Sequence, residues 1–148
     1  MRLTTFTDYA LRVLLYVGSA PEGRGRIAEI AAAYGISEHH VVKVVHLLGK
    51  EGLLANSRGR GGGLRLARTA ASINVGHVVR ITERPTALVE CFAPTGNCAI
   101  TNACRLAGAL QQAHEAFYEV LDRFTLADLL VRPQRITQIL HYPSEQRQ

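Results

Sequence analysis

The sequence predicts a mainly α-helical fold with a small β-wing, in which a winged helix-turn-helix head precedes a long dimerisation helix. Two segments of helical apolar periodicity flank Gly35, and a tip rich in glycine and arginine then separates two short alternating segments. Farther along, apolar residues recur at heptad spacing for about 20 residues. We expect a head at residues 1–83, a loop at 84–103, two helices at 104–130 and a tail at 131–148.

The first helix is predicted over residues 7–19. Thr5 and Asp8 stand three apart, as in a capping box, and Thr7 is an alternative cap. Leucines spaced three and four apart give this helix an inward face. Pro21, followed by glycines, ends it.

Two further helices form the predicted helix-turn-helix. The first spans Ile27–Tyr34 and is closed by Gly35, since glycine just past a helix end suits the left-handed C-cap conformation. Ser37 is a good N-cap for the second, which spans about Glu38–Lys50. The alternative is a generic helical pair. The wing that follows favours the helix-turn-helix.

A β-wing is predicted directly after these helices. Strands at Leu53–Asn56 and Leu64–Leu66 flank a tip of glycines and arginines. Glycine allows a close backbone approach, and an arginine at the tip suits a narrow minor groove. The alternative, a flexible hairpin with no phosphate to bind, is less favoured in a basic half of the chain.

The candidate DNA-binding residues come from the first turn of the recognition helix and from the wing. That turn reaches base edges in the major groove, where lysine and histidine can donate to phosphate or to guanine. Ser37 has capping as its alternative role. The candidates are Ser37, His39, His40 and Lys43 on the helix, and Arg58, Arg60, Gly61 and Gly62 in the wing.

Charge is concentrated in the first half of the chain. The net charge is +5, and residues 1–84 hold 12 Lys and Arg against 6 Asp and Glu, whereas residues 85–148 hold 5 against 6. A polyanion would therefore dock on the first half, although a basic soluble protein is the alternative.

No apolar run is long enough for a membrane span and no secretory signal is apparent, so a cytoplasmic protein is expected. No catalytic motif is present in the sequence, and an enzyme is not expected.

The segment at 84–103 is predicted to be a loop built around a bound group. It follows a short helix at Val75–Thr82 and contains Cys91 and Cys98, with Cys104 just after it. An odd number of cysteines argues against a disulfide scaffold. Three thiolates on an irregular loop can hold a labile iron–sulfur cluster. A zinc site, a metal-free thiol switch and inert cysteines remain the alternatives.

A long helix is predicted from Cys104 to Phe124, followed by a capped short helix at Leu126–Leu130 and a loosely held tail after Pro133. The apolar seam of the long helix is either packed on its own head or paired with a second copy. We favour a symmetric dimer, because a small head offers little surface to cover the seam and helix-turn-helix proteins usually read two half-sites. The predicted dimer residues are Leu106, Leu110, Ala113, Phe117, Val120 and Phe124.

Four stretches together resemble a known family of dimeric, winged-helix bacterial regulators that carry an iron–sulfur cluster. Ala107 stands where the cluster-biogenesis regulators of that family have a ligand histidine, so the chain is most similar to the family's nitric-oxide-sensing repressors. The stretches are Met1–Thr4 together with Phe6–Arg12, then Arg58–Leu64, Cys98–Leu106 and Phe124–Leu129.

The resemblance implies a cluster, [4Fe–4S] with [2Fe–2S] as the alternative, held by Cys91, Cys98 and Cys104. It also implies a homodimer in which Asp8 of the partner chain supplies the fourth ligand; helix capping is the alternative role of Asp8. The implied function is a repressor that releases double-stranded operator DNA when nitric oxide attacks the cluster. Alternatives are a regulator that senses iron or cluster status and, more remotely, a small redox protein.

Overall fold

A computed structural model of the chain describes residues 2–57, 59, 62–83, 89, 92, 96–100 and 103–141. Its order of elements confirms the predicted class, mainly α with one small antiparallel hairpin. None of the described helices is long and apolar enough to cross a membrane. The elements are α1 (Thr5–Ser19), α2 (Ile27–Tyr34), α3 (Glu38–Lys50), β1 (Leu54–Ser57), β2 (Gly63–Leu66), a 3₁₀ turn (Ala70–Ser72), α4 (Val75–Thr82), α5 (Arg105–Asp122), α6 (Leu126–Leu129) and α7 (Pro133–His141).

The start of α1 differs from the prediction. Thr4 is the N-cap, and its hydroxyl accepts a hydrogen bond from the Thr7 backbone N–H at 3.2 Å. The capping roles given to Thr5, Thr7 and Asp8 are therefore wrong. A contact with a residue distant in the sequence also holds Thr4 in the N-cap position. The backbone N–H of Thr4 donates a hydrogen bond to the carboxylate of Glu83 at 2.8 Å.

The helix-turn-helix has its predicted boundaries. Gly35 adopts the left-handed conformation, with φ of 64°, and the Ile36 N–H returns to the Ala31 carbonyl at 3.0 Å to close α2. Ser37 caps α3 by accepting from the His40 N–H at 3.4 Å. The local capping residues Gly35 and Ser37 thus mark where α2 ends and where α3 begins.

The hairpin is present, with β1 one residue later than predicted. Its register runs from Leu54 opposite Leu66 to Ser57 opposite Gly63. Leu53 is not part of the strand because its N–H donates to the Leu48 carbonyl at 2.9 Å and closes the end of α3.

The hydrophobic core is centred on α1. This helix contacts α3, α4, β2, α6 and α7. Leu14 and Leu48 are essentially inaccessible to solvent, and each such side chain contributes about 1.5–3 kcal/mol when buried. Leu126 also reaches this core, so α6 docks on the head although it follows the long helix in sequence.

The predicted loose tail is wrong over residues 133–141, which form α7 and pack on α1. The Thr137 hydroxyl donates to the Ser19 carbonyl at 2.6 Å, and the ring centroids of His141 and Tyr16 lie 4.2 Å apart. Pro133 is the first residue of α7, a position where proline is favoured, so it begins a helix where a loosely held tail was predicted. Residues 142–148 lie outside the described part.

We expect the docking of α7 to weaken as the pH falls below the ordinary histidine pKa of 6.5. Burial lowers the pKa of His141, and this effect outweighs the raising effects of the Tyr16 backbone and Glu29. Because the docked state favours the neutral ring, protonation favours the undocked helix. Amide exchange in α7 should therefore be faster at pH 5.5 than at pH 8 after correction for intrinsic rates. A His141→Phe variant should lose this dependence, and equal corrected rates in the unaltered protein would contradict the prediction.

Candidate nucleic-acid interface and cysteine segment

The recognition helix α3 separates a buried face from an exposed one. Val41, Val44 and Leu48 are fully buried against the core. The four residues predicted to contact DNA are all exposed, at the N-terminal half of the helix, namely Ser37, His39, His40 and Lys43. The structure thus brings the four together on one accessible end of α3.

Two of these side chains are held in place by neighbours. The Ser37 hydroxyl oxygen lies 2.9 Å from His40 Nδ1, and the His40 ring centroid lies 5.8 Å from that of Tyr9 on α1. His40 is therefore anchored between the cap of its own helix and α1. Lys43 is exposed one turn farther along.

Sequence reasoning missed two residues on the exposed face of α3. Val42, with 47% of its surface exposed, and His46 follow His39 by three and seven residues, so the three side chains share one stripe with Lys43. The helical period of the sequence contains this signal, since it places both residues on the same face as His39. An exposed apolar side chain in such a stripe suits the methyl group of thymine.

The base of the wing is fixed to the head. Gly25 and Leu64 exchange two backbone hydrogen bonds, of 3.0 and 2.8 Å, which join β2 to the segment between α1 and α2. At the tip, the Gly62 N–H donates to the Gly59 carbonyl at 2.9 Å. Arg65 adds an exposed positive charge on β2. The predicted residues Arg58, Arg60 and Gly61 lie outside the described residues.

The cysteines that the structure describes suit a metal centre in their chemistry. Cys98 is exposed, and Cys104 is half-buried at the N-cap of α5; neither sulfur is in a disulfide. Cys104 stands at the start of an 18-residue helix, and a cysteine binds metal through its sulfur. Cys91 lies outside the described residues. Within the described ranges, no group of three or more His, Cys, Asp or Glu residues is arranged to hold a metal ion.

Asp8, the predicted fourth ligand, is engaged by Arg12 within its own chain. Arg12 Nε donates to Oδ1 at 3.0 Å, and Nη2 lies 2.8 Å from Oδ2. The Arg12 guanidinium also lies 5.6 Å from the centroid of the Tyr34 ring, at the end of α2. Arg12 therefore contacts both Asp8, the predicted ligand, and the end of α2 in the helix-turn-helix.

Glu83 is a site residue that sequence reasoning missed. Its Oε1 accepts hydrogen bonds from the Thr4 N–H at 2.8 Å, from the Thr4 hydroxyl at 3.1 Å and from the Thr7 hydroxyl at 2.5 Å. Partial burial raises the pKa of Glu83, but these bonds outweigh it and the net pKa is lowered. Glu83 is the C-cap of α4 and directly precedes residues 84–103 in the chain, so it ties the end of α4 to the start of α1. No local pattern indicates a contact across 79 positions.

Replacing Glu83 with glutamine should lower the melting temperature by about 2–4 °C, because the charged acceptor for the first turn of α1 is lost. The carboxylate contributes above its ordinary pKa of 4.5, and this contribution disappears as the pH falls through the lowered value. The difference between the two proteins should therefore vanish in acid. Glu51→Gln is the control for the loss of one charge. Equal melting temperatures of Glu83→Gln and the unaltered protein at pH 7 would refute the prediction.

The predicted seam of α5 is largely uncovered by its own chain. Leu106, Val120 and Phe124 are 64%, 49% and 43% exposed, and none of the residues of α5 is fully buried. The remaining seam residues are half-buried or exposed, namely Leu110, Ala113 and Phe117. A seam of this length left open by its own head favours a second copy as its cover.

Comparison with known proteins agrees with this geometry. A family model described as "Rrf2: Iron-dependent Transcriptional regulator" matches residues 3–132. The HTH-type transcriptional regulator NsrR of Geobacillus kaustophilus is 55% identical over 132 residues, which are 88% of this chain and 90% of that protein. NsrR of Shouchella clausii is 42% identical over 144 residues, 96% and 97% of the two chains. Among solved structures, T. potens IscR is similar with a TM-score of 0.69 and 27% identity, covering 88% of this chain and 86% of that one.

Proposed function

The chain belongs to the Rrf2 family of iron-dependent transcriptional regulators, and we propose that it is a repressor that senses nitric oxide through an iron–sulfur cluster. One observation carries the proposal. Helix α1 bears Asp8, and the same helix contacts the recognition unit twice, through Tyr9 on His40 and through Arg12 on Tyr34. A change at Asp8 can therefore reach the DNA-binding surface within one helix.

DNA binding uses the exposed end of α3 and the wing. His39 and Lys43 enter the major groove from the first turns of α3, while Arg60 of the wing enters the minor groove. The homodimer places two such heads on a pseudo-palindromic operator. The basic first half of each chain supplies the general attraction to phosphate.

Cys91, Cys98 and Cys104 would hold the cluster, with Asp8 of the partner subunit as the fourth ligand. When bound, the cluster supplies the iron that reacts with nitric oxide. Asp8 is shared between two roles, since its carboxylate either ligates or remains paired with Arg12 at 2.8 Å. A carboxylate that has an alternative partner within its own chain is an exchangeable ligand, as a sensor requires.

The return of Asp8 to Arg12 is the step we assign to signalling. Arg12 then holds Asp8 while its guanidinium stays near Tyr34, and α1 shifts against the start of α3 through Tyr9 and His40. The two heads lose their fixed relative position and release the operator. The bistable element is α1 with the loop that Glu83 ties to it.

The test is an anaerobic titration with nitric oxide in which visible absorption and binding of fluorescent operator DNA are followed in one sample. Loss of the sulfide-to-iron absorption in step with release of DNA is the expected result. A colourless protein that binds DNA regardless of nitric oxide would overturn the sensor and favour the thiol or zinc alternatives. Release of DNA by an iron chelator, with no response to nitric oxide, would instead identify a sensor of cluster status.

A further inference from the structure

Helices α4 and α5 meet at a joint formed by three side chains. Arg80 donates two parallel hydrogen bonds to Asp122, from Nη1 to Oδ1 and from Nη2 to Oδ2, each of 2.6 Å. The same guanidinium lies 4.6 Å from the centroid of the Tyr118 ring. Two bonds and a ring contact fix the rotation as well as the distance between the helices.

The backbones of the two helices also touch at this joint. A Cβ atom added to Gly76 would overlap the Asp122 carboxylate and lie 3.0 Å from the Asp122 backbone nitrogen. Asn74 Nδ2 donates to the Asp122 carbonyl at 2.7 Å, and the Val75 N–H donates to the Phe124 carbonyl at 2.9 Å. Only glycine at position 76 permits this approach.

At their other ends, α4 and α5 are connected through the segment that contains the cysteines. Helix α4 ends at Thr82 and α5 begins at Arg105, so residues 83–104 join them. Helix α5 has 18 residues and is about 27 Å long. Its C-terminal end is fixed at the joint by Asp122, and Cys104 lies at its opposite, N-terminal end.

We propose that Arg80 and Asp122, packed over Gly76, are positioning residues that set the distance between the two recognition helices of the dimer. The inference rests on the proposed dimeric DNA-binding function. Both side chains are partly exposed, 44% and 40%, so the pair contributes little to stability and mainly fixes direction. A rotation of about 10° moves a point about 20 Å away by about 3.5 Å, which is the rise of one base pair.

The test measures how strictly the protein recognises half-site spacing. Duplexes selected by the unaltered protein from a random library are shortened or lengthened by one or two base pairs at their centre. We expect one inserted pair to weaken binding by the unaltered protein about tenfold or more. Arg80→Leu should bind all spacings within about threefold of one another, and Arg80→Lys should lie between the two.

Arg123→Leu is the matched control, since it removes an arginine beside Asp122 that has no part in the joint. Sedimentation should find all variants dimeric, and Asp122→Asn repeats the test with an isosteric change if Arg80→Leu does not fold. A spacing profile of the joint variants identical to that of Arg123→Leu would overturn the inference. Failure of the unaltered protein itself to dimerise or to bind DNA would instead overturn the proposed function.

Discussion

Replacing Phe117 with glutamate should convert the proposed dimer to a monomer and weaken binding to a two-half-site operator by about 100-fold or more. Phe117 lies in the middle of the apolar seam on α5, between Leu110 and Phe124. The described part of the chain leaves this seam open, with Leu106 64% exposed. A second copy would bury it, and two facing carboxylates in a buried apolar interface are strongly unfavourable.

The loss of affinity should come from lost bivalency rather than from a damaged head. A duplex with one half-site should therefore bind the variant and the unaltered protein within about threefold. Gln112→Glu is the matched control, because it adds the same charge to an exposed position on another face of α5. Sedimentation at micromolar concentration measures the assembly state. If Phe117→Glu remains a dimer, the seam is not the interface.

Local signals made the helix-turn-helix predictable from the sequence. The left-handed C-cap conformation favours glycine, which stands at position 35, and Ser37 caps the next helix, so the observed boundaries of α2 and α3 agree with those predicted. The start of α1 was not predictable in this way, because three threonines compete for the cap. Glu83 selects Thr4 from 79 positions away, and no local pattern encodes that contact.

In the candidate site too, some features follow from local sequence patterns and others depend on contacts between distant segments. The exposed end of α3 follows from helical periodicity, which also places Val42 and His46 there once the helix boundaries are known. The pairing of Asp8 with Arg12 was accessible as an i, i+4 ion pair. The placement of Arg12 near Tyr34, and of α7 on α1, depends on tertiary packing between segments that carry no mutual signal in sequence.

Replacing Cys104 with alanine should abolish the visible absorption, reduce bound iron to near zero and remove the response to nitric oxide. The proposed centre has only three cysteine ligands, and alanine supplies no ligand in place of the one removed. The fold should survive, because Cys104 is only half-buried and its side chain makes no capping hydrogen bond at the start of α5. Circular dichroism should therefore match that of the unaltered protein.

Cys98→Ala should have the same effect, whereas Asn97→Ala, at an exposed neighbouring position, should retain iron and colour. Asp8→Asn distinguishes the fourth ligand from the three thiolates. The cluster should still assemble in that variant, but with a shifted visible spectrum and a changed rate of reaction with nitric oxide. A Cys104→Ala protein that keeps iron, colour and sensitivity to nitric oxide would show that this thiolate is not a ligand. Unchanged spectra in Asp8→Asn would show that Asp8 is not a ligand of the cluster. Its role would then be to pair with Arg12 near the start of α1, the helix that contacts the recognition unit.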